Sequence, residues 1–195
     1  MKMMEIKIEE SIKKSVENIK EVIKLSQKIH DVINLIIESL EKGNKIVLFG
    51  NGGSAADAQH MAAEFIGRFK IERESIPAIS LTTDTSIITS ISNDYSFENI
   101  FSRQCESLVS QGDVVFGIST SGNSKNVELG LKKSQEKGAK TIGLLGGNGG
   151  RIKQFTNIDL TIDSNDTARI QEAHRVIYHI ICNFVELEIS RINQK

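Results

Sequence analysis

Five short runs of near-continuous aliphatic residues, most of them followed by a stretch with helical spacing, set the strongest limit on how this chain can fold. They are KIVLFG (45–50), IPAISL (76–81), DVVFGI (113–118), KTIGLL (140–145) and IDLTI (158–162). A strand with one face in water alternates apolar and polar residues, so a strand without that alternation reads as covered on both faces. Helical patterns lie between and after the runs, at 54–68, 84–92, 97–110, 124–137 and about 166–192. Strand and helix in alternation, with the strands buried, specify a parallel sheet whose right-handed crossovers place helices on both faces. The predicted architecture is a doubly wound α/β fold with five parallel strands flanked by helices. In such sheets ligands bind beyond the carboxyl ends of the strands, and this chain clusters its glycines there.

Ahead of the first run, residues 5 to about 42 carry Ile12, Val16, Ile19, Ile23, Ile29, Val32, Ile33 and Ile36 at helical spacing, with Gly43 as a stop. This predicts N-terminal helices over 1–43, in two pieces, belonging to the same domain as the α/β region at 44–195. With 24 Lys+Arg against 25 Asp+Glu the net charge is -1, which leaves no broad basic field for nucleic acid or an anionic membrane. Any anion must be gripped locally. The charged opening MKMMEIKIEESIKKSVENIK lacks the apolar core of a signal peptide, and no segment reaches the roughly 18 apolar residues of a membrane span. A cytoplasmic protein is expected. Cys105 and Cys182 stand alone without C-x-x-C spacing, as reduced thiols do, and Cys182 falls on an apolar helix where a core position is expected.

Two strand-end loops carry residues suited to an anion. In GISTSGNSKNV (117–127) a strand runs into Ser119, Thr120, Ser121, Gly122 and Ser124 just before a helix. Free N–H groups at a helix N-terminus and nearby hydroxyls make a phosphate cradle, although the same residues also serve as ordinary caps and turns. In GNGGS (50–54), Gly52 and Gly53 allow close backbone approach, Ser54 can cap the helix that follows, and Asn51 can direct an amide at a ligand. Neither loop spells a nucleotide-binding fingerprint. The loop GGNGGR (146–151) lacks hydroxyls and reads as a turn, and so in isolation do Asn93 and Asp94.

Behind the first glycine turn, His60 and Glu64 stand at i and i+4 and share a helix face. Alone they could equally be a surface pair. The closing helix bears Gln171, His174 and His179 along an apolar stripe of Ile170, Val176, Ile177, Ile180, Ile181 and Phe184, so His179 is expected to be at least partly buried. A buried histidine is commonly a hydrogen-bonded core residue. If the two helices pack, two imidazoles and a carboxylate converge on a set suited to a divalent transition metal.

FGNGGSAADAQHMAAEFIGRF, AISLTTDTSIITSISNDYSFENIFSRQ, GDVVFGISTSGNSKNV and TARIQEAHRVIYHIICNFVE together resemble the phosphoheptose isomerases of the sugar isomerase (SIS) superfamily, across nearly the whole chain to residue 188. The resemblance implies a flavodoxin-like sheet and a cytoplasmic homotetramer with one zinc per subunit. The activity it implies is conversion of sedoheptulose 7-phosphate to glycero-manno-heptose 7-phosphate, which supplies heptose for lipopolysaccharide or capsule. It places the zinc ligands on His60, Glu64, Gln171 and His179, and the acid/base pair on Glu64 and His179. Substrate contacts fall on Asn51, Gly52, Gly53, Ser54, Glu64, Asn93, Asp94, Ser119, Thr120, Ser121, Ser124 and Gln171, so Asn93 and Asp94 move from turn formers to site residues. Ala168 and Ala55 stand where some relatives have Asp and His, which excludes any role for those side chains here. The alternative is a non-catalytic scaffold like the cousin that associates with the bacterial replication initiator; the presence of both Glu64 and His179 favours catalysis.

Overall fold

The apolar runs pair as parallel strands in the computed structural model, which describes residues 2–192. The strands are β1 (Ile46–Gly50), β2 (Ala78–Ser80), β3 (Val114–Ser119), β4 (Lys140–Gly146) and β5 (Ile158–Ile162), in the order β2-β1-β3-β4-β5. Every pairing is parallel, with Ile46 opposite Val114 and Val114 opposite Lys140 in register. The order reverses between β1 and β3, so the crevice beyond their carboxyl ends is the topological switch point of the sheet.

The described residues also form seven α-helices: α1 (Lys2–Lys20), α2 (Ser26–Glu41), α3 (Gly53–Ile66), α4 (Thr85–Asp94), α5 (Ile100–Leu108), α6 (Lys125–Glu136) and α7 (Thr167–Ile192). A 3-10 segment, Glu21–Leu25, divides the N-terminal helical region into the two pieces its sequence predicted. Alternate strand residues feed two cores. Ile46, Leu48, Val114 and Phe116 pack under α2, α3 and α7, whereas Val47, Phe49 and Val115 pack under α5 and α6 with Phe101 and Leu131. This division is why the runs do not alternate: both faces of the inner strands are dry.

The reading of all five runs as covered on both faces fails at the margins. β2 is an edge strand paired only with β1, and Ile79 on its outer face is 37% exposed. β5, at the other edge, leaves Ile158, Asp159 and Thr161 half-buried. An edge strand has one lateral neighbour, and among the described residues no helix closes fully over either edge.

α7 shows how the site is mounted. Its buried face runs Ile170, Ala173, His174, Ile177, Tyr178, Ile181, Cys182, Val185, Glu186, alternating steps of three and one as a helix with one dry side must. Three members of that stripe are polar, and each has its own hydrogen-bonding partners. Both cysteines are buried and free.

Candidate active site

α3 starts at the carboxyl end of β1 and runs beside α7, which brings the two histidines and the glutamate together. His60, Glu64 and His179 offer donor atoms that all lie within 4.8 Å of one another. His60 Nε2 is 2.9 Å from Glu64 Oε1, and the rings of His60 and His179 stand nearly perpendicular with centroids 5.2 Å apart. All three side chains are partly buried. Burial, and then the neighbouring His60 imidazole, hold His179 below the ordinary histidine value.

The orientation of His60 is set from behind. Its Nδ1 lies 3.0 Å from the Tyr178 hydroxyl, which donates to Asp57 Oδ1 at 3.4 Å and accepts from Arg175 Nε at 3.1 Å. Arg175 Nη2 also donates to Asp57 at 3.2 Å. Burial first, and then Asp57, push the Tyr178 phenol up to about 12, so it keeps its proton. With that proton directed at Asp57, the tyrosine oxygen accepts from His60 Nδ1–H, which leaves the Nε2 lone pair to bind a cation shared with Glu64. An outer partner that fixes the tautomer is the usual arrangement behind a metal-ligating histidine.

The second cluster sits at the end of β3. Ser119 Oγ is 3.0 Å from Ser124 Oγ and 3.4 Å from Ser121 Oγ. Ser124 is the N-cap of α6, yet its side chain makes no cap bond, so the hydroxyls face one another beside the N–H groups of the helix. Thr120 and Ser121 line a polar cavity of about 510 Å³. The GGNGGR loop does more than turn. Gly122 has φ +64, and a Cβ there would sit 2.3 Å from the backbone of Gly149. Ile152 N–H donates to Gly122 O at 2.9 Å, while Arg151 bonds Asn123 and pairs with the buried Glu128. The third loop therefore braces the hydroxyl loop through backbone contact that no side chain at Gly122 would permit.

Other residues assigned from the sequence stand apart from that cluster in the single chain. Within the single chain Gln171 is set apart from the two histidines and the glutamate. It stands eight residues before His179, about 12 Å along α7 at 1.5 Å per residue, and its amide packs against Gly53, where an added Cβ would lie 2.2 Å from its Nε2. Ser54 does not cap α3: Gly52 is the N-cap, and Ser54 is buried inside the first turn. Asn51 turns its amide to Asn126, exchanging two bonds of 2.8 and 2.9 Å across the switch point. Asn93 and Asp94 are exposed at the end of α4 and bond each other at 2.8 Å, within none of the clusters just described. His174 is the core histidine: it is fully buried, and its Nε2 lies 3.0 Å from Leu145 O. The residues that sequence reasoning passed over, Asp57 and Tyr178, were detectable as polar side chains on otherwise dry helix faces.

Known proteins share both the sequence and the fold of this chain. Residues 9–146 match the SIS domain family. The phosphoheptose isomerase of Citrifermentans bemidjiense is 56% identical over 165 residues, covering 85% of this chain and 86% of the relative. That of Clostridium acetobutylicum is 49% identical over 185 residues, covering 93% and 94%. The structure of phosphoheptose isomerase from Neisseria gonorrhoeae superposes with a TM-score of 0.89 at 38% identity, covering 94% of this chain and 98% of that one. At these identities and coverages, the chain belongs to the phosphoheptose isomerases, within the SIS-domain family.

Proposed function

We propose that the protein is the aldose–ketose isomerase that interconverts sedoheptulose 7-phosphate and glycero-manno-heptose 7-phosphate, with its reaction centre at Glu64 and His179. The observation that carries this reading is the convergence of His60, Glu64 and His179 from two helices beside a strand-end cluster of hydroxyls. The reaction moves a proton from C1 of the ketose to C2 through an enediol, while the C1 oxygen loses a proton and the C2 oxygen gains one. Glu64 takes the carbon-bound proton and returns it to the neighbouring carbon. Its Oε1 faces His60 Nε2 at 2.9 Å, which leaves Oε2 as the basic atom. His179 exchanges the proton on the substrate oxygens, a task suited to an imidazole of lowered basicity.

Two imidazoles and a carboxylate, with the Tyr178–Asp57 pair fixing one tautomer, fit a divalent metal of the zinc type. His60, Glu64 and His179 would hold it, and when bound it polarises the sugar oxygens. The phosphate binds at Ser119, Ser121 and Ser124 with the first N–H groups of α6, so that binding at the unreactive end positions the reactive one. Thr120 lines that end of the site. Gln171, beside Gly52 and Gly53, contacts the substrate there.

Asn51, Ser54, Asn93 and Asp94 also contact the substrate in this reading; in the single chain the first two stand at the glycine turn and the last two at the end of α4. The remaining features of the reading are a homotetramer, a cytoplasmic location, and a product that supplies heptose for lipopolysaccharide or capsule. The chain is read as one domain, with 1–43 attached to 44–195. Support for assembly comes from the apolar residues α1 leaves exposed, among them Ile12 and Val16. The deciding experiment is Glu64→Gln assayed with sedoheptulose 7-phosphate: turnover disappears while calorimetric substrate binding persists. Retained turnover removes Glu64 from the reaction.

A further inference from the structure

Glu186 lies two helical turns beyond His179 on the buried face of α7 and is 1% exposed. Its two oxygens are saturated by a single stretch of chain following α3. Oε1 accepts from Phe69 N–H at 2.7 Å and from Arg73 Nε at 3.2 Å; Oε2 accepts from Lys70 N–H at 2.7 Å and from Ile71 N–H at 3.0 Å. Burial alone would raise this carboxyl, but the three amides and Arg73 outweigh it and hold the group below the ordinary carboxylate range. It is an anion inside a nest of donors.

What this grip holds in place is the wall of the reaction centre. The Phe69 ring sits 5.5 Å from the ring of His179, tilted at 40°. The Arg73 side chain, 3% exposed, donates from Nη2 to the backbone carbonyl of Glu64 at 2.9 Å and from Nη1 to that of Glu74 at 2.9 Å. The Glu64 carbonyl lies in the last turn of α3, where the helix itself supplies no partner. One carboxylate thus fixes a ring on His179 and, through Arg73, the backbone of Glu64. A buried ion pair is a poor device for stability alone, since an apolar pair of similar volume commonly serves as well. Its use here is geometric.

We infer that Glu186 is a positioning residue for isomerisation, holding Phe69 against His179 and Arg73 against the last turn of α3 so that the two reacting groups keep their mutual orientation. This rests on the reading of Glu64 and His179 as the reaction centre. The phosphate end of the site is not touched by the clamp, so its loss falls on turnover and metal retention and not on substrate capture.

The test uses Glu186→Gln and Phe69→Ala, each compared with the unmodified enzyme. In Glu186→Gln an amide NH₂ faces backbone N–H donors, and the segment is released. Expected are a kcat lower by about tenfold or more, a KM within about twofold, and zinc affinity of the metal-stripped protein weaker by about tenfold in competition with a chelating dye. Hydrogen exchange of the amides at 69–71 should quicken. Phe69→Ala keeps the three backbone bonds to Glu186, and so remains a test if Glu186→Gln does not fold; it should show the same drop in kcat with those amides still protected. A Phe69→Ala enzyme with unchanged kcat and unchanged zinc affinity overturns the inference. Glu64→Gln run alongside separates the two levels: if it is inactive while Phe69→Ala is normal, only the clamp fails, and if it is active the underlying reading fails as well.

Discussion

Acidification should expose the cost of burying His174, and the size of that cost can be worked from its surroundings. The imidazole is completely buried on α7, bonded at Nε2 to Leu145 O, with Nδ1 unpartnered. Burial lowers its pKa to about 4 from 6.5, against a smaller opposing effect of the Leu145 carbonyl. In the unfolded chain the ring takes a proton below about 6.5; in the folded chain it resists until about 4. The stabilisation is therefore complete above the upper value, declines as pH falls through the interval, and is gone below the lower value. Two and a half units at 1.36 kcal/mol each amount to about 3 kcal/mol. The perturbation is His174→Gln, which keeps a donor for Leu145 O and does not titrate. Urea unfolding of both proteins at one fixed protein concentration, at pH 7.5 and at pH 4, gives the double difference. Asp159, Glu128 and Glu186, all held below the ordinary carboxylate range, also lose stabilisation on acidification, but they are common to both proteins and cancel. The native protein should lose about 3 kcal/mol more than the variant. Parallel losses, within about 1 kcal/mol, would refute the argument that burial keeps this ring neutral.

Other perturbations address the substrate end and the metal. Replacing Ser119 and Ser121 together by Ala removes two hydroxyls from the phosphate, each worth about 1.5–3 kcal/mol to a charged group, so KM should rise at least about a hundredfold with kcat little changed; an unaltered KM places the phosphate elsewhere. Gly122→Ala forces a left-handed backbone onto a side chain and drives its Cβ into Gly149. The backbone strain alone is about 1–2 kcal/mol, and melting should fall by at least about 2 °C; an unchanged midpoint would show that the two loops part freely. Stripping divalent metal with a chelator should abolish turnover, zinc should restore it, and His60→Ala should block the restoration. Full activity in protein shown by elemental analysis to be metal-free would contradict the assignment of that site.

The inner strands were legible because a strand dry on both faces must be written almost without interruption in Val, Ile, Leu and Phe. β2 was misread for the same reason: an aliphatic run does not announce whether a helix covers it, and Ile79 remains exposed. His60 and Glu64 could be paired from their spacing, since a helix face repeats every three to four residues. Gln171 was grouped with the histidines through family resemblance, and the rise of α7 separates them in the single chain. The Glu186 clamp was invisible for a different reason. It joins Arg73 to a residue 113 positions away, and no local pattern encodes a contact of that range.

α1 offers the last consequence. Its 19 residues include none that is buried, while Ile6, Ile8, Ile12 and Val16 are each about half or more exposed. Helices in proteins draw most of their stability from packing an apolar face, and the hydrogen bonds tying α1 to the rest of the chain are chiefly Asn18 to Arg169 O and Arg169 to Ser11 O and Ser15. If a second copy covers that face, the first helix draws its stability from mass action. Dilution would then unwind the amino terminus well before it disturbed the sheet, so that protein concentration, and not the chain's own core, governs how this segment folds.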